Sequence, residues 1–210
     1  MAKKDAQQMP QVVIFVEGDT DEVLFKALVE YYKRVSETEL RPCKICNLRG
    51  VTRYSSKLLA KLKNEILPDA RKGGYLVQAV CCSYDTDVFD VQSPLIVNWD
   101  GLRKQVNRMG IAEFIRLGIK SSIEDWLLCD MAGACRYLKL KSAPKALKGA
   151  DGCAKLNDLY TKVGRVYQKG YQAKGLVEAL DMGVIRDKRK EALKELETVL
   201  GVKIKGRPGR

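Results

Sequence analysis

No histidine occurs anywhere in the 210 residues. Without imidazole there is no Ser-His-Asp or Cys-His relay and no histidine-ligated zinc hydrolysis. Hydrolytic chemistry in such a chain must come from carboxylates, lysines or a metal held by oxygen ligands. Long apolar runs are also missing. VVIFV and YLVQAVCC are typical of those present, far short of the roughly 18 residues of a membrane helix. MAKKDAQQ is not followed by a secretory hydrophobic segment, so a cytoplasmic protein with no membrane partner is expected. The seven cysteines are an odd set and make no disulfide framework. Cys43 and Cys46 form one C-x-x-C in RPCKIC, but a second is lacking. Reduced structural thiols are therefore expected rather than zinc.

Against these absences stands an excess of cations. The chain carries 38 Lys and Arg against 26 Asp and Glu, a net charge of +12 and a pI near 9.4. That balance points to a polyanionic partner, nucleic acid ahead of an anionic membrane surface. With 46% hydrophobic and 30% charged residues, the composition is that of a folded globular protein. The length suits one domain with a modest extension.

Residues 11 to 16 are nearly all apolar, as in a strand buried on both faces of a parallel sheet. A helix is expected from Asp19, with Asp19 and Glu22 as a capping box and Leu24, Ala27, Leu28 and Tyr31 at helical spacing. A second strand spans 41 to 48 and is broken by Gly50. A helix from about Ser55, with Leu58, Leu59, Leu62 and Ile66 on one face, is expected to end near Pro68. After Gly73 and Gly74, YLVQAVCCSY reads as the clearest buried strand. Strand, helix, strand, helix, strand is the pattern of an α/β domain. Beyond it the sequence predicts a short helix over 100 to 109, a strand in FIRLGIK, and a strong helix opening at Ser121 in SSIEDWLLCDMAGACRYL. Two further helices, over 155 to 168 and 187 to 200, flank the loop QKGYQAKG, and the tail KIKGRPGR is rich in Gly, Pro and cations. The expected division is a catalytic domain over 11 to 130, a helical extension packed on it over 131 to 200, and a basic tail over 201 to 210.

The stretch VVIFVEGDTDEVLF sets four acids, Glu17, Asp19, Asp21 and Glu22, just after a buried strand. The central strand delivers a second group, Asp85-x-Asp87, and SSIEDWLL a third, Glu124. In open α/β sheets ligands collect outside the carboxyl ends of the strands, where Glu17 and Asp85 both fall. Residues i and i+2 of an extended segment point to one face, so Asp85 and Asp87 can aim at one point. Unit charges about 4 Å apart repel by roughly 4 kcal/mol at an effective dielectric near 20, and a divalent cation reverses that sign. Oxygen ligands alone favour Mg²⁺, with Mn²⁺ as a substitute. Each acid also has a plainer role: Asp19 with Glu22 and Ser121 with Glu124 as capping boxes, Asp85 with Asp87 as a turn.

VEGDTDEVLF, a strand ending in D-x-D, and a helix with an acid in IEDWLL together resemble the TOPRIM domain of topoisomerases, primases and OLD-family nucleases. The RloB-like group of small stand-alone proteins from bacterial defence loci is the nearest likeness. The resemblance covers about 11 to 130 and continues weakly through YQKGYQAKGLVEAL. It implies a Rossmann-like, mostly parallel sheet flanked by helices, with a helical C-terminal extension. It further implies a Mg²⁺-dependent endonuclease of DNA or RNA, an effector of anti-phage defence or a toxin. Glu17 would be a metal ligand or general base, Asp85 and Asp87 the metal-binding pair, and Glu124 the later acidic ligand, with Asp21 or Asp125 assisting. Lys169 and Lys174 flank the loop from which a catalytic lysine is expected, Lys169 being the choice. A third acid, Asp90, leaves the D-x-D ligands open.

The implied mechanism is in-line phosphodiester hydrolysis with one ion activating water and a second stabilising the leaving oxygen. Arg49, Arg53 and Lys57 in RGVTRYSSKLLAKLK, with Lys174, are expected nucleic-acid contacts, and Arg207 in KGRPGR resembles an AT-hook core. These residues carry no ATPase pattern, so an OLD-type ATPase, or an inhibitor, would be a separate subunit, and a homodimer is a further expectation. A non-catalytic nucleic-acid-binding or regulatory subunit is the alternative.

Overall fold

Five consecutive residues of the first strand, Val12 to Val16, have no solvent exposure at all. A computed structural model describes residues 8–86 and 97–204, and it places this strand, β1 (Met9–Val16), inside a parallel sheet. Its neighbours are β2 (Cys43–Asn47) and β3 (Tyr75–Asp85), and β4 (Glu113–Ile119) pairs with β3, giving the order β2-β1-β3-β4. Alternation explains the complete burial of β1. Val12, Ile14 and Val16 enter one hydrophobic core, Val13 and Phe15 the other.

The first core is covered by α1 (Asp19–Val35) and by the C-terminal helices. The second is covered by α2 (Arg53–Lys61), a π-helical turn over Leu62–Ile66, α3 (Leu67–Lys72) and α4 (Trp99–Arg108). The chain is thus an α/β protein with a Rossmann-like sheet between helical layers. From β1 it moves to β2 with α1 on one face, then returns past β1 to β3 with α2 and α3 on the other. The strand order reverses between β1 and β3, and the crevice at their carboxyl ends is the topological switch point where such sheets bind ligands.

After β4 come α5 (Ile123–Leu127), a 3₁₀ turn over Leu128–Asp130, and α6 (Met131–Tyr137). The remaining helices are α7 (Gly152–Thr161), α8 (Lys174–Ala179), α9 (Met182–Lys188) and α10 (Lys190–Leu200), with a 3₁₀ turn over Gly170–Ala173 before α8. Residues of these helices, among them Leu159, Leu176, Ile185 and Leu196, share one core with β1 and α1. Segments 11 to 130 and 131 to 200 therefore meet without a boundary in the packing.

Several helices differ from the sequence expectation. The one helix expected from Ser121 is broken at Asp130, whose carboxylate accepts from the Gly133 N–H at 3.0 Å and caps α6 instead of continuing α5. Pro68 does not end its helix. It stands inside a continuous helical run, just after the π-helical turn over Leu62–Ile66, where the i→i−4 ladder is already interrupted. The helix expected over 155 to 168 stops at Thr161, before Gly164 at φ 69°, a left-handed conformation that glycine adopts freely. Cys43 and Cys46 lie three residues apart on a strand and so face opposite cores, which rules out a shared zinc ion. Burial pushes the Cys43 thiol up to about 12. Among the described residues no helix is long and apolar enough to cross a membrane.

Candidate functional site

Three segments of chain converge on the switch point. β1 ends at Val16 and hands Glu17 to the crevice, and β3 ends on Asp85. The backbone N–H of Asp85 donates to Glu17 Oε2 at 3.1 Å, tying the two strand ends together through a carboxylate. Behind them the buried Tyr54 hydroxyl lies between the carbonyl oxygens of Phe15, at 3.1 Å, and Ser83, which share its one proton. A side chain from α2 thus fixes the spacing of the strands that carry Glu17 and Asp85.

Asp19 and Glu22 do not form the expected capping box. Gly18 is the N-cap, with no side-chain cap bond, so Asp19, Asp21 and Glu22 occupy the first turn of α1, where the helix dipole favours negative charge. Asp19 Oδ1 accepts from Asn47 Nδ2 at 2.6 Å, a tie to the end of β2. Asp21 is turned inward and is 5% exposed. Burial first, then the charge of Glu17 and to a lesser degree that of Glu124, raises its carboxyl to about 7, against the opposing pull of its backbone hydrogen bond and of Lys169.

The box expected at Ser121 and Glu124 is not formed either. Ser121 has a left-handed φ of 63°, Ser122 is the N-cap and makes no side-chain cap bond, and Glu124 is wholly buried. Strain of this kind in a residue with a side chain is uncommon outside functional turns. The turn is held by Thr86, whose hydroxyl accepts from the Ser121 N–H at 3.2 Å. Glu124 Oε1 accepts from the Tyr167 hydroxyl at 3.4 Å and lies 3.5 Å from Lys169 Nζ. Burial pulls the Lys169 ammonium down, but the charges of Glu124, Cys153 and Asp85 outweigh it and raise its pKa.

Lys169 is positioned from a distance. The Thr20 hydroxyl of α1 accepts from the Gly170 N–H at 2.8 Å, and Gly170 adopts φ 89°, open to glycine and strained for other residues. Glu17, Asp21, Asp85, Glu124 and Lys169 thereby line one cleft of about 390 Å³. Neither Thr20 nor Tyr167 stood out in the sequence. Both are polar groups in otherwise apolar surroundings, and only their tertiary partners give them a role.

Asp87, Asp90 and Arg207 lie outside the described residues. Lys174 is not brought to the cleft: it stands at the start of α8, 3.7 Å from Glu178. Arg49, Arg53 and Lys57 line a separate groove beside the cleft.

The donor chemistry suits a hard cation such as Mg²⁺, since every acid of the cleft offers oxygen. Asp21 Oδ1 and Glu124 Oε2 are buried with no hydrogen-bond partner among the described residues, an arrangement that costs free energy until a donor or cation meets it. The described residues alone do not complete a coordination shell. Among them no group of three or more His, Cys, Asp or Glu side chains is gathered closely enough to hold an ion. The cation they do supply is the Lys169 ammonium. Comparison with protein-family models, with curated proteins and with solved structures finds no match.

Proposed function

We propose that the protein is a Mg²⁺-dependent nuclease that hydrolyses phosphodiester bonds in the cleft at the switch point. One observation carries the reading: acids from distant parts of the chain meet around two buried carboxylate oxygens that no donor among the described residues satisfies. Glu17, Asp85 and Glu124, with Asp21 and Asp87, would hold the ion. Bound there it would supply Lewis-acid stabilisation of charge on the phosphate oxygens. The chain's own groups have separable tasks. Glu17 is oriented by the Asp85 N–H. Asp21, whose carboxyl is raised to about 7 by burial and neighbouring acids in the metal-free chain, is an acid that a bound cation would ionise. Lys169 offers positive charge at the mouth of the cleft, where a developing phosphate anion would stand. The setting, anti-phage defence or toxicity, rests on the resemblance to the RloB-like group alone.

The non-catalytic alternative has one observation in its favour. The Lys169–Glu124 pair already neutralises part of the acidic charge, as a degenerate metal site would. The two readings part on a simple assay of the purified protein with DNA and RNA in Mg²⁺, in Mn²⁺ and in EDTA. Hydrolysis is expected with either metal and not in EDTA, falling by roughly a hundredfold or more in Glu17→Gln and Asp85→Asn, with folding unchanged by circular dichroism. Hydrolysis that survives both substitutions removes the assigned site. Binding without hydrolysis under every condition leaves the non-catalytic reading.

A further inference from the structure

A second concavity adjoins the acidic cleft. It is a groove of about 740 Å³ running along β2 between the first turn of α1 and the solvent side of α2. β2 is an edge strand among the described residues, paired only with β1. The two walls of the groove differ in charge. The α1 wall presents Asp19 and Glu22, while the α2 wall presents Arg53, Lys57 and Lys61, followed by Glu65 of the π-helical turn, with Lys44 on β2 and Arg49 at the turn between β2 and α2. Asp19 lines both the groove and the cleft, so the two adjoin.

Three of these cations are uncommitted. Lys44 stands 3.2 Å from Asp69 and Lys61 3.9 Å from Glu65, but no ion pair among the described residues engages Arg49, Arg53 or Lys57. Positions 53, 57 and 61 recur every four residues along a helix, about 6 Å apart on its axis, a spacing commensurate with successive phosphates of one strand. Arg49 is held in a left-handed conformation at φ 62°, where its N–H donates to Asn47 Oδ1 at 2.8 Å. No aromatic side chain among the described residues lines the groove, so none of them stacks on bases there.

We infer that this groove takes a single nucleic-acid strand by its phosphates along α2 and leads it to the acidic cleft, without reading sequence. A duplex offers two rows of phosphate. Its second row would meet Asp19 and Glu22, so the charge asymmetry of the walls selects one strand. The inference rests on the nuclease reading for the identity of the polymer. Its substrate class, single-stranded or locally opened nucleic acid, comes from the walls themselves.

The test is the binding of fluorescently labelled single strands, DNA and RNA of mixed sequence, read by anisotropy in EDTA against salt concentration. The variants are Arg53→Gln with Lys57→Gln in the full chain, and, as a control on the opposite face of the sheet, Lys190→Gln with Lys194→Gln in α10. Each phosphate that the protein no longer neutralises should lower the slope of log K on log salt by about 0.7, so the groove variant should lose about 1.4 in slope and roughly 25-fold in affinity near 0.1 M salt. The control pair should lose less in both. The corresponding duplex should bind the unaltered protein more weakly and lose less on substitution. Unchanged single-strand binding in the groove variant overturns the inference, as does equal or greater loss for duplex. So does an acidic peptide that binds, is weakened by the same substitutions and leaves strand binding untouched, since a free sheet edge also suits an extended peptide. Because binding is read without metal, absence of hydrolysis elsewhere would sink the nuclease and leave the groove. Intact hydrolysis with unaltered binding in the groove variant would sink the groove alone.

Discussion

Asp21 shows how much one carboxyl depends on where the fold puts it. Its ordinary pKa near 3.8 rises to about 7 through burial and neighbouring acids. Between those values the folded chain holds a proton that the unfolded chain has released, so stability falls as pH rises through this window and levels off above it. From pH 5 to pH 8 this group should cost the metal-free protein roughly 3 kcal/mol. Asp21→Asn should remove that dependence, which denaturant unfolding in EDTA at the two pH values would measure. Equal slopes in variant and parent would refute the burial account. Lys169 is the complementary case. Lys169→Ala leaves Glu124 charged, buried and without its cation, so hydrolysis should fall by about a hundredfold and stability should fall with it. Adding Glu124→Gln to that variant should recover stability and not activity. If it recovers neither, the ion pair is not what Lys169 contributes to the fold.

Among the elements, α2 and the turns after β3 and β4 decide the geometry of the cleft. Tyr54 belongs to a helix that touches no acid of the site, yet its hydroxyl bridges the strand ends carrying Glu17 and Asp85. Tyr54→Phe removes the one proton that the Phe15 and Ser83 carbonyls share and should cost about 1–3 kcal/mol, seen as a lower denaturant midpoint at unchanged slope. Hydrolysis should fall too, because the strand ends are freed to separate. Stability lost with full activity would mean that the bridge serves the core alone. The strands themselves were legible in the sequence. Val12 to Val16 and YLVQAVCCSY are apolar runs bounded by Pro10 and Gly18 and by Gly73 and Gly74, whereas FIRLGIK, interrupted by Arg116 and Gly118, is the weakest strand signal of the three. The caps were not. Asp19 with Glu22 and Ser121 with Glu124 fit the capping pattern, but a cap competes with every other partner the side chain can reach. Asn47 captured Asp19 and burial captured Glu124, and both partners lie far off in sequence.

At the scale of the whole molecule, the C-terminal third is part of the same folding unit as the sheet. The core that covers one face of β1, β3 and β4 draws side chains from α1 and from α5 through α10. Glu197 of α10 accepts from Arg186 Nε at 2.7 Å and Nη2 at 2.9 Å and from the Tyr32 hydroxyl at 2.9 Å, linking the last helices to α1. A chain ended at residue 130 would keep α1 but lose the other helices that cover this face of the sheet, and should show no cooperative thermal transition. Cooperative unfolding of that fragment would separate the two segments after all. The same packing explains the site, since Lys169 and Tyr167 reach the cleft only because the extension folds back over α1.

The sequence by itself determined the architecture and the absence of imidazole chemistry. The missing histidine, the acids at two strand ends and the alternation of apolar runs with helical spacing are local facts, and parallel α/β packing follows from them without knowledge of any contact. Tertiary structure alone decided which acids share a cleft, that Lys169 is the cation beside Glu124, that Asp21 titrates near neutral pH, and that Arg49, Arg53 and Lys57 line one groove. The reason is physical. Hydrophobic periodicity repeats within a few residues and can be read along the chain, whereas electrostatic and hydrogen-bond partners are set by distance in space, which the order of residues does not encode locally.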